Sequence, residues 1–171
     1  MGYEISGALG IKMAKPDQDV VVFVGDGSYL LNNTDIYSSV IYDKKLIVIV
    51  CDNGGHMVIN RLQLAKGGKE YICNLRSARA TNLQFVDFET HAKSMGANAE
   101  TVSSTSELEA AYKRAKDSNK TYVITIKTHG YEWLEGTAFW ESPTLQDPIT
   151  TNNKNALEDF EFGKSKQRKG V

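Results

Sequence analysis

Two short turns carry the residues of this sequence that could do chemistry. The run Asp19 to Gly25, which is rich in β-branched residues and nearly all apolar, leads into Gly25-Asp26-Gly27-Ser28. The run Leu46 to Cys51 is of the same kind and leads into Asp52-Asn53-Gly54-Gly55. Either turn alone is weak evidence, because Asp-Gly pairs are common in tight turns where glycine adopts a positive φ. Two such turns after successive buried runs are a stronger signal.

The spacing of the turns predicts that their polar side chains meet at one edge of a sheet. Asn53 follows Asp26 by 27 positions, which is about what one helix and one strand of a right-handed crossover need. Free backbone N–H groups at Gly27 and Ser28 suit phosphate oxygens. A carboxylate about 4 Å from a phosphate would be repelled by roughly 4 kcal/mol at an effective dielectric near 20, so a cation is needed between them. Oxygen ligands from Asp, Asn and a backbone carbonyl are typical of Mg²⁺, and the residues therefore predict an Mg²⁺-bridged diphosphate.

The elements that must position these turns alternate between helix and strand. Helical periodicity covers residues 1–15 and 36–41, the latter with Asn33 or Thr34 as its cap, and residues 88–96. A further helix begins with a capping-box pattern at Ser106 and Glu109, and a last strand follows over residues 121–127. This order predicts an α/β fold with a doubly wound, mostly parallel sheet and helices on both faces. The two apolar runs are then strands covered on both faces.

Two segments lack this alternation. Residues 52–84 are polar, with four glycines, and a loop of that length in a compact domain is usually functional. Within it, Asn60, Arg61 and Gln63 are predicted on a short helix that either faces substrate or is an ordinary solvated helix. Beyond Glu141 the apolar residues thin out without a steady period. We therefore expect a diphosphate- and magnesium-binding domain over residues 1–140 and a polar tail over 141–171, solvated or lying on a partner.

Composition narrows the class of protein. The 171 residues suit one domain, and 41% hydrophobic with 24% charged residues is a globular balance. Twenty basic and 21 acidic residues leave a net charge of −1, so the composition shows no excess of positive charge for binding nucleic acid. Apolar runs far shorter than about 20 residues, the lack of a secretory leader and two cysteines predict a cytoplasmic protein that does not span a membrane.

The two turns resemble the thiamine-diphosphate motif of decarboxylases and acetolactate synthases, in the C-terminal, diphosphate-binding domain of those enzymes. In that family the Asp, the second residue of the later pair and a carbonyl two residues on hold the metal. The resemblance implies that Asp26, Asn53 and the carbonyl of Gly55 bind Mg²⁺. The family usually has Asn-Asn where this chain has Asp52-Asn53, which keeps the ligand and changes its neighbour. The cofactors implied are thiamine diphosphate and Mg²⁺.

The same resemblance implies further contacts to the cofactor. Met1, in the opening Met-Gly-Tyr, corresponds to a bulky apolar residue that supports the bent cofactor. His56 follows the second turn and could contact the diphosphate or a substrate, with a solvent-facing loop histidine as the equal alternative. The residues predicted to bind the cofactor are Met1, Gly25, Asp26, Gly27, Ser28, Asn53, Gly55 and His56.

A narrower resemblance covers most of the chain. Residues 1–5, 59–63 and 86–97 resemble the trihydroxycyclohexanedione hydrolases of inositol catabolism, which open a cyclic dione by thiamine-dependent hydrolysis of a carbon–carbon bond. Three alternatives stay open. One is the cofactor domain of an acetolactate synthase-like or other 2-oxo acid lyase or carboligase; another is an Mg²⁺–nucleotide module, which the absence of a P-loop disfavours; the third is a non-catalytic remnant or interaction domain.

The activating acid of the family is not found in this sequence. The resemblance implies that a glutamate on a separate pyrimidine-binding domain protonates the cofactor, and neither Glu4 nor Glu89 has the right context. Family members have roughly three domains, and this chain matches the last and begins inside its first helix. We therefore expect a fragment or split subunit without a catalytic residue of its own and inactive alone. Its expected partners are a pyrimidine-binding domain or subunit, a small-molecule substrate and further copies of itself. A glycine-rich helix face predicts either self-association or a missing subunit.

Overall fold

A parallel sheet with flanking helices forms the larger part of the molecule. The structure is a computed structural model and describes residues 1–77, 81–132 and 151–166, with side chains from 154 onward in the last segment. The described residues form two compact units, residues 1–56 with 81–130, and residues 57–77 with 131–132 and 151–166. The predicted boundary between binding domain and tail, at residue 140, lies outside the described residues and stays a prediction.

The first unit contains four strands and five helices. The strands are β1 (Val21–Gly25), β2 (Ile47–Asp52), β3 (Asn98–Val102) and β4 (Tyr122–Lys127). The helices are α1 (Glu4–Ala14), α2 (Asp26–Leu31), α3 (Thr34–Ile41), α5 (Phe88–Ser94) and α6 (Thr105–Asp117). The second unit contains α4 (Met57–Ala65), a 3-10 turn (Leu75–Ser77) and α7 (Thr151–Lys166).

All strand pairs are parallel, in the order β1-β2-β4-β3. The predicted α/β class is therefore confirmed. The two apolar runs are neighbouring strands, and Gly25 is in register with Cys51. That register brings the two oxygen-rich turns to the same edge, because parallel strands present their carboxyl ends together.

Successive residues of β2 pack into cores on opposite faces of the sheet. Val48 and Val50 belong to the core that includes Ile5, Tyr29 and other residues of α1, α2, α3 and α5. Ile47 belongs to the other core, with Ala111 and Ala115 of α6. The prediction that this strand is covered on both faces is confirmed.

The same prediction is wrong for β1, which is an edge strand. Val22 and Val24 are buried, whereas Phe23 is 64% exposed and Val21 is 37% exposed. The helix α6 contacts β2, β3 and β4, so the described residues place no comparable cover over the outer face of β1. A continuous apolar run predicts that both faces of a strand are hydrophobic. It does not predict which of the two faces the described residues bury.

The structure corrects the predicted start of α6. The capping box is formed by Ser104, whose Oγ accepts from the backbone N–H of Glu107 at 3.2 Å, and by Glu107, whose Oε2 accepts from the N–H of Ser103 at 2.7 Å. The predicted pair, Ser106 and Glu109, lies two residues further on, inside the helix. Both pairs fit the capping-box pattern, and the earlier one is used because the chain turns into the helix directly after β3.

The cap predicted for α3 also differs. Asn33 occupies the N-cap position, but its side chain donates to the carbonyl of Tyr29 at 3.1 Å. The amide therefore bridges back to α2 and stabilises the short connection between the two helices. The sequence does not indicate strand β3, because this five-residue edge strand lacks the continuous apolar, β-branched run of β1 and β2.

The second unit confirms one short helix and adds another. Asn60, predicted on a helix, is fully buried on α4 and donates from Nδ2 to Glu70 Oε1 at 2.7 Å. The hydroxyl of Tyr131 donates to the same carboxylate oxygen at 2.7 Å. Helix α7 lies in the segment predicted as a polar tail. The apolar residues there do not recur at regular helical spacing, so the sequence does not predict this helix. Among the described residues, no helix combines the length and apolar character that crossing a membrane requires.

Candidate functional site

Asp26 is the buried centre of the site at the carboxyl ends of β1 and β2. It is the first residue of α2, directly after β1, and is 3% exposed. Its Oδ2 accepts from the backbone N–H of Gly55 at 2.6 Å and of Gly54 at 3.1 Å. The second turn thus closes over the carboxylate of the first, and the predicted convergence of the two turns is found in the structure.

Glycine is required in the second turn by the conformation of its backbone. Gly54 has φ +85° and Gly55 has φ +139°, both in the region that side chains with a Cβ rarely adopt. These angles direct the two successive N–H groups toward Asp26. An Ala at either position would be strained and would disturb the hydrogen bonds that hold the carboxylate.

Three potential oxygen ligands lie together at this turn. The terminal amide atom of Asn53 lies 2.8 Å from the carbonyl oxygen of Gly55 and 3.1 Å from Asp26 Oδ1. If that atom is nitrogen, Asn53 donates to both oxygens; if it is oxygen, three oxygens face one another. The two amide orientations are nearly isosteric, so the ligands present decide between them.

The distances within this group suit a small divalent cation. Mg²⁺ takes oxygen ligands at about 2.0–2.1 Å in an octahedron, whose adjacent ligands are then about 2.9 Å apart. The two separations from Asn53, 2.8 and 3.1 Å, are compatible with that edge, and they are also the lengths of ordinary hydrogen bonds from an amide that donates to both oxygens. In the described part of the chain, no three His, Cys, Asp or Glu side chains cluster as a metal site, so this candidate set depends on one carboxylate, one amide and one backbone carbonyl.

The electrostatics of Asp26 favour a bound cation. Burial raises the pKa of the Asp26 carboxyl, and the negative charge of Asp52 adds to the increase, while backbone N–H groups of Gly55, Gly27 and Gly54 oppose it. The net pKa is above the ordinary value. A divalent cation would reverse this balance, because an opposite charge stabilises the carboxylate form. Burial and the charge of Asp26 also raise the pKa of the Cys51 thiol, which keeps that thiol protonated and unreactive.

Gly27 and His56 are in direct contact. A Cβ added at Gly27 would lie 2.3 Å from Nδ1 of His56, so the imidazole occupies the space that any other residue at position 27 would need. His56 is partly buried. The structure therefore places His56 against the first turn, beside the candidate ligands, and its contact with a diphosphate or substrate stays a prediction.

The other predicted cofactor residues lie at different distances from this centre. Gly25 ends β1 beside Cys51, directly before Asp26. Ser28 is buried in the first turn of α2. Burial alone would raise the pKa of Glu4, but its own backbone N–H and the nearby Ser28 side chain bring that pKa below its ordinary value.

Met1 is a predicted cofactor residue for which the structure shows only a largely exposed side chain. It is 64% exposed and precedes Gly2, where an added Cβ would contact Leu31 and Asn32 at the C-terminal end of α2. Its proposed support of a cofactor stays a prediction.

Sequence reasoning missed the part that Asp52 plays. The family resemblance gives this residue only as the neighbour of a ligand, yet its Oδ1 accepts from Gly54 N–H at 3.2 Å and its Oδ2 forms an ion pair with Lys127. The sequence signal was limited to positions, since Asp52 follows one predicted strand and Lys127 ends another; that the two strands are neighbours is known only from the structure. His91, on α5, lies away from this turn, and its Nδ1 is 2.9 Å from the Tyr29 hydroxyl.

A comparison with protein families assigns most of the chain. The family described as "Thiamine pyrophosphate enzyme, C-terminal TPP binding domain" matches residues 1–126. The 3D-(3,5/4)-trihydroxycyclohexane-1,2-dione hydrolase of Halalkalibacterium halodurans is 40% identical over 138 residues, which are 77% of this chain and 22% of that protein. The protein of the same name from Bacillus subtilis is 37% identical over 146 residues, 81% of this chain and 23% of its own length. The chain thus spans about a quarter of the length of the curated relatives it matches.

Solved structures show the same fold. The thiamine diphosphate-dependent 4-hydroxybenzoylformate decarboxylase of Rhodococcus jostii superposes with a TM-score of 0.63 at 22% identity, covering 75% of this chain and 23% of that one. A thiamin diphosphate-dependent enzyme from Mycobacterium smegmatis gives a TM-score of 0.57 at 24% identity, covering 75% and 22%. At these identities the likeness concerns the fold alone.

Proposed function

Since this chain belongs to the family of C-terminal TPP-binding domains of thiamine pyrophosphate enzymes, we propose that its two glycine turns hold the cofactor's diphosphate through Mg²⁺. The observation that carries this proposal is the grouping of Asp26, Asn53 and the Gly55 carbonyl, with separations that suit adjacent ligands of one cation. These three groups bind the metal. Backbone N–H groups of Gly27 and Ser28 take diphosphate oxygens, and His56 lies at the edge of the site.

The division of labour follows from the residues present. When bound, thiamine diphosphate supplies the carbanion chemistry by which a bond next to a carbonyl is broken. This chain binds and orients the cofactor. Asp26 binds the cation, and the Gly54–Gly55 turn holds the Asp26 carboxylate in position. The acid that activates the cofactor comes from a pyrimidine-binding domain, on the same polypeptide or on a second one. We propose that residues 1–171 alone bind the cofactor without turnover.

For the reaction, we propose hydrolytic opening of a cyclic dione, trihydroxycyclohexane-1,2-dione, in inositol catabolism. The names of relatives at 37–40% identity over 77–81% of this chain support it. The runner-up is an acetolactate synthase-like or other 2-oxo acid reaction. To separate them, this chain is combined with a pyrimidine-binding domain and assayed with the dione and with pyruvate. Turnover of the dione is expected. Turnover of pyruvate without turnover of the dione would favour the 2-oxo acid reaction.

Calorimetry tests the cofactor site directly. We expect thiamine diphosphate to bind in the presence of Mg²⁺, ATP with Mg²⁺ not to bind, and Asp26→Ala to abolish the signal. Asp17→Ala, which removes an exposed carboxylate before β1, is the matched control and is expected to bind like the wild type. Binding of ATP in place of thiamine diphosphate would indicate a nucleotide module, and binding of neither would indicate a non-catalytic domain.

A separate assay tests the proposed lack of turnover. The purified chain is incubated with the dione, thiamine diphosphate and Mg²⁺, and no product is expected. Product formed by this chain alone would contradict the assignment of the activating acid to another domain.

A further inference from the structure

An ion pair joins the ends of the two central strands beside the candidate metal site. Asp52 and Lys127 are the last residues of β2 and β4 and are in register. Lys127 Nζ contacts Asp52 Oδ2, and the side chains differ sharply in exposure, 9% for Asp52 and 63% for Lys127. The backbone supports the same junction, because Thr128 N–H donates to the Asp52 carbonyl at 2.9 Å.

The other oxygen of Asp52 connects this pair to the metal-binding turn. Asp52 Oδ1 accepts from the N–H of Gly54 at 3.2 Å, and the same N–H donates to Asp26 Oδ2 at 3.1 Å. A continuous series of contacts therefore runs from Lys127 through Asp52 and Gly54 to Asp26. The neighbouring residue, Gly55, carries the carbonyl proposed as a metal ligand.

The pair also balances charge at the turn. Two carboxylates that share one N–H donor lie close enough to repel each other, and Asp52 is nearly as buried as Asp26. The Lys127 ammonium neutralises the Asp52 carboxylate from the solvent side. The Phe85 ring lies beside this ammonium, with its centroid 6.0 Å from Lys127 Nζ. A buried carboxylate left without its cation is much more costly than a pair from which both charges have been removed.

We infer that Lys127 is a positioning residue for the cation–diphosphate site and acts through Asp52, which holds the Gly54–Gly55 turn in its ligand-presenting conformation. This inference rests on the proposed function, since it concerns how well the turn binds Mg²⁺ and thiamine diphosphate. Lys127 itself supplies no ligand. Residues that orient metal ligands in this way typically change metal affinity by about 10–100-fold when they are replaced.

The test measures the Kd of thiamine diphosphate at saturating Mg²⁺, and the Kd of Mg²⁺ at fixed thiamine diphosphate, by calorimetry. Lys127→Met is expected to raise both about tenfold, and Lys127→Arg to stay near the wild type. The double variant Asp52→Asn/Lys127→Met is expected to recover part of the loss, because it removes the uncompensated carboxylate and keeps an oxygen for Gly54. Lys113→Met is the matched control, since Lys113 pairs with Glu109 on the surface of α6.

A ligand-free readout accompanies the titrations. The amide resonance of Gly54 in ¹⁵N spectra is expected to shift in Lys127→Met and to stay in place in Lys113→Met. If Lys127→Met does not fold, recovery of folding by the double variant supports the inference, and failure of both overturns it.

The outcomes separate the two proposals. If the wild type binds thiamine diphosphate and Lys127→Met binds within twofold of it, this inference is wrong and the proposed function stands. A double variant that binds no better than Lys127→Met also overturns it, because the effect of Lys127 then does not pass through Asp52. If the wild type does not bind thiamine diphosphate with Mg²⁺, the proposed function itself fails.

Discussion

At the scale of single residues, Asp26 combines burial with charge. The carboxylate is 3% exposed, lies beside a second carboxylate and accepts hydrogen bonds from the N–H groups of Gly54 and Gly55. Such a residue destabilises the ligand-free chain at neutral pH while it provides the charge that a cation needs. Function and stability therefore make opposite demands on the same side chain.

This conflict predicts that Asp26→Asn stabilises the ligand-free chain while it weakens Mg²⁺ binding. The amide is isosteric, keeps an acceptor for Gly55 and loses the buried charge. Relief of about 1 kcal/mol would raise the Tm by roughly 2–4 °C. Thermal melts without Mg²⁺, followed by calorimetry, measure both effects. A lower Tm would mean that the carboxylate's hydrogen bonds outweigh the cost of its burial.

The pH dependence of the same residue has a defined sign. Because the pKa of Asp26 is raised in the folded chain, the folded state takes up its proton before the unfolded state does as the pH falls. The penalty from Asp26 is thus largest above the folded pKa and disappears below the unfolded pKa. Protons compete with the cation, so Mg²⁺ affinity should fall as the pH drops through the raised pKa, and this slope should be absent in Asp26→Asn.

Gly27 predicts a packing conflict that can be rescued. In Gly27→Ala the new Cβ and the His56 ring cannot both keep their places, and we expect a loss of about 1–3 kcal/mol in the free energy of unfolding. Gly27→Ala/His56→Ala should recover most of it in denaturant melts. Gly10→Ala is the control: its Cβ would meet no described atom within 4 Å on α1, and helix propensity should stabilise it by about 0.5–1 kcal/mol. If Gly27→Ala/His56→Ala is no more stable than Gly27→Ala, the loss of stability does not come from a clash with His56.

At the scale of elements, the connections between strands and helices determine where the turns lie. Strand β1 leads directly into α2, so Asp26 is both a helix start and a site residue. Tyr29 on α2 is fully buried, packs edge-on to Phe88 at 5.1 Å and hydrogen-bonds His91, which ties α2 to α5. The short helix that begins the site is thus stabilised by its tertiary contacts.

The start of α6 predicts unequal effects for two neighbouring serines. Ser104→Ala removes the hydroxyl that caps Glu107 N–H and should lower the free energy of unfolding by about 1 kcal/mol. Ser106→Ala, inside the first turn, should change it by less than about 0.5 kcal/mol. Denaturant unfolding of the two variants measures the difference, and equal losses would contradict the observed capping box.

At the scale of the whole molecule, ligand binding and folding are linked. A ligand that binds the folded chain at 100 times its Kd adds about 2.7 kcal/mol of stability. For a chain of this size that corresponds to a rise in apparent Tm of roughly 5–10 °C. We expect thiamine diphosphate with Mg²⁺ to produce this rise, and thiamine with Mg²⁺, which lacks the diphosphate, to produce none. An equal rise with thiamine would show that the diphosphate does not contribute.

Much of the fold and the candidate metal ligands follow from the sequence alone. The runs around Val22 and Val48 specify strands because their apolar, β-branched residues suit a parallel sheet, and the 27-residue interval from Asp26 to Asn53 suits one crossover. Glycines at 54 and 55 indicate a backbone conformation that other residues resist. These features are local, or depend on one short connection, so a pattern along the chain is enough to specify them.

Other features depend on contacts between residues that are distant in sequence, and only the tertiary structure decided them. The register of β2 and β4 brings Lys127 to Asp52, 75 positions earlier, and the second turn brings His56 against Gly27. The edge position of β1 leaves Phe23 exposed although its sequence reads as buried. A sequence pattern states which faces are apolar and which turns are polar. Which of them meet depends on strand order and register, and these are determined by the free energy of the packed chain as a whole.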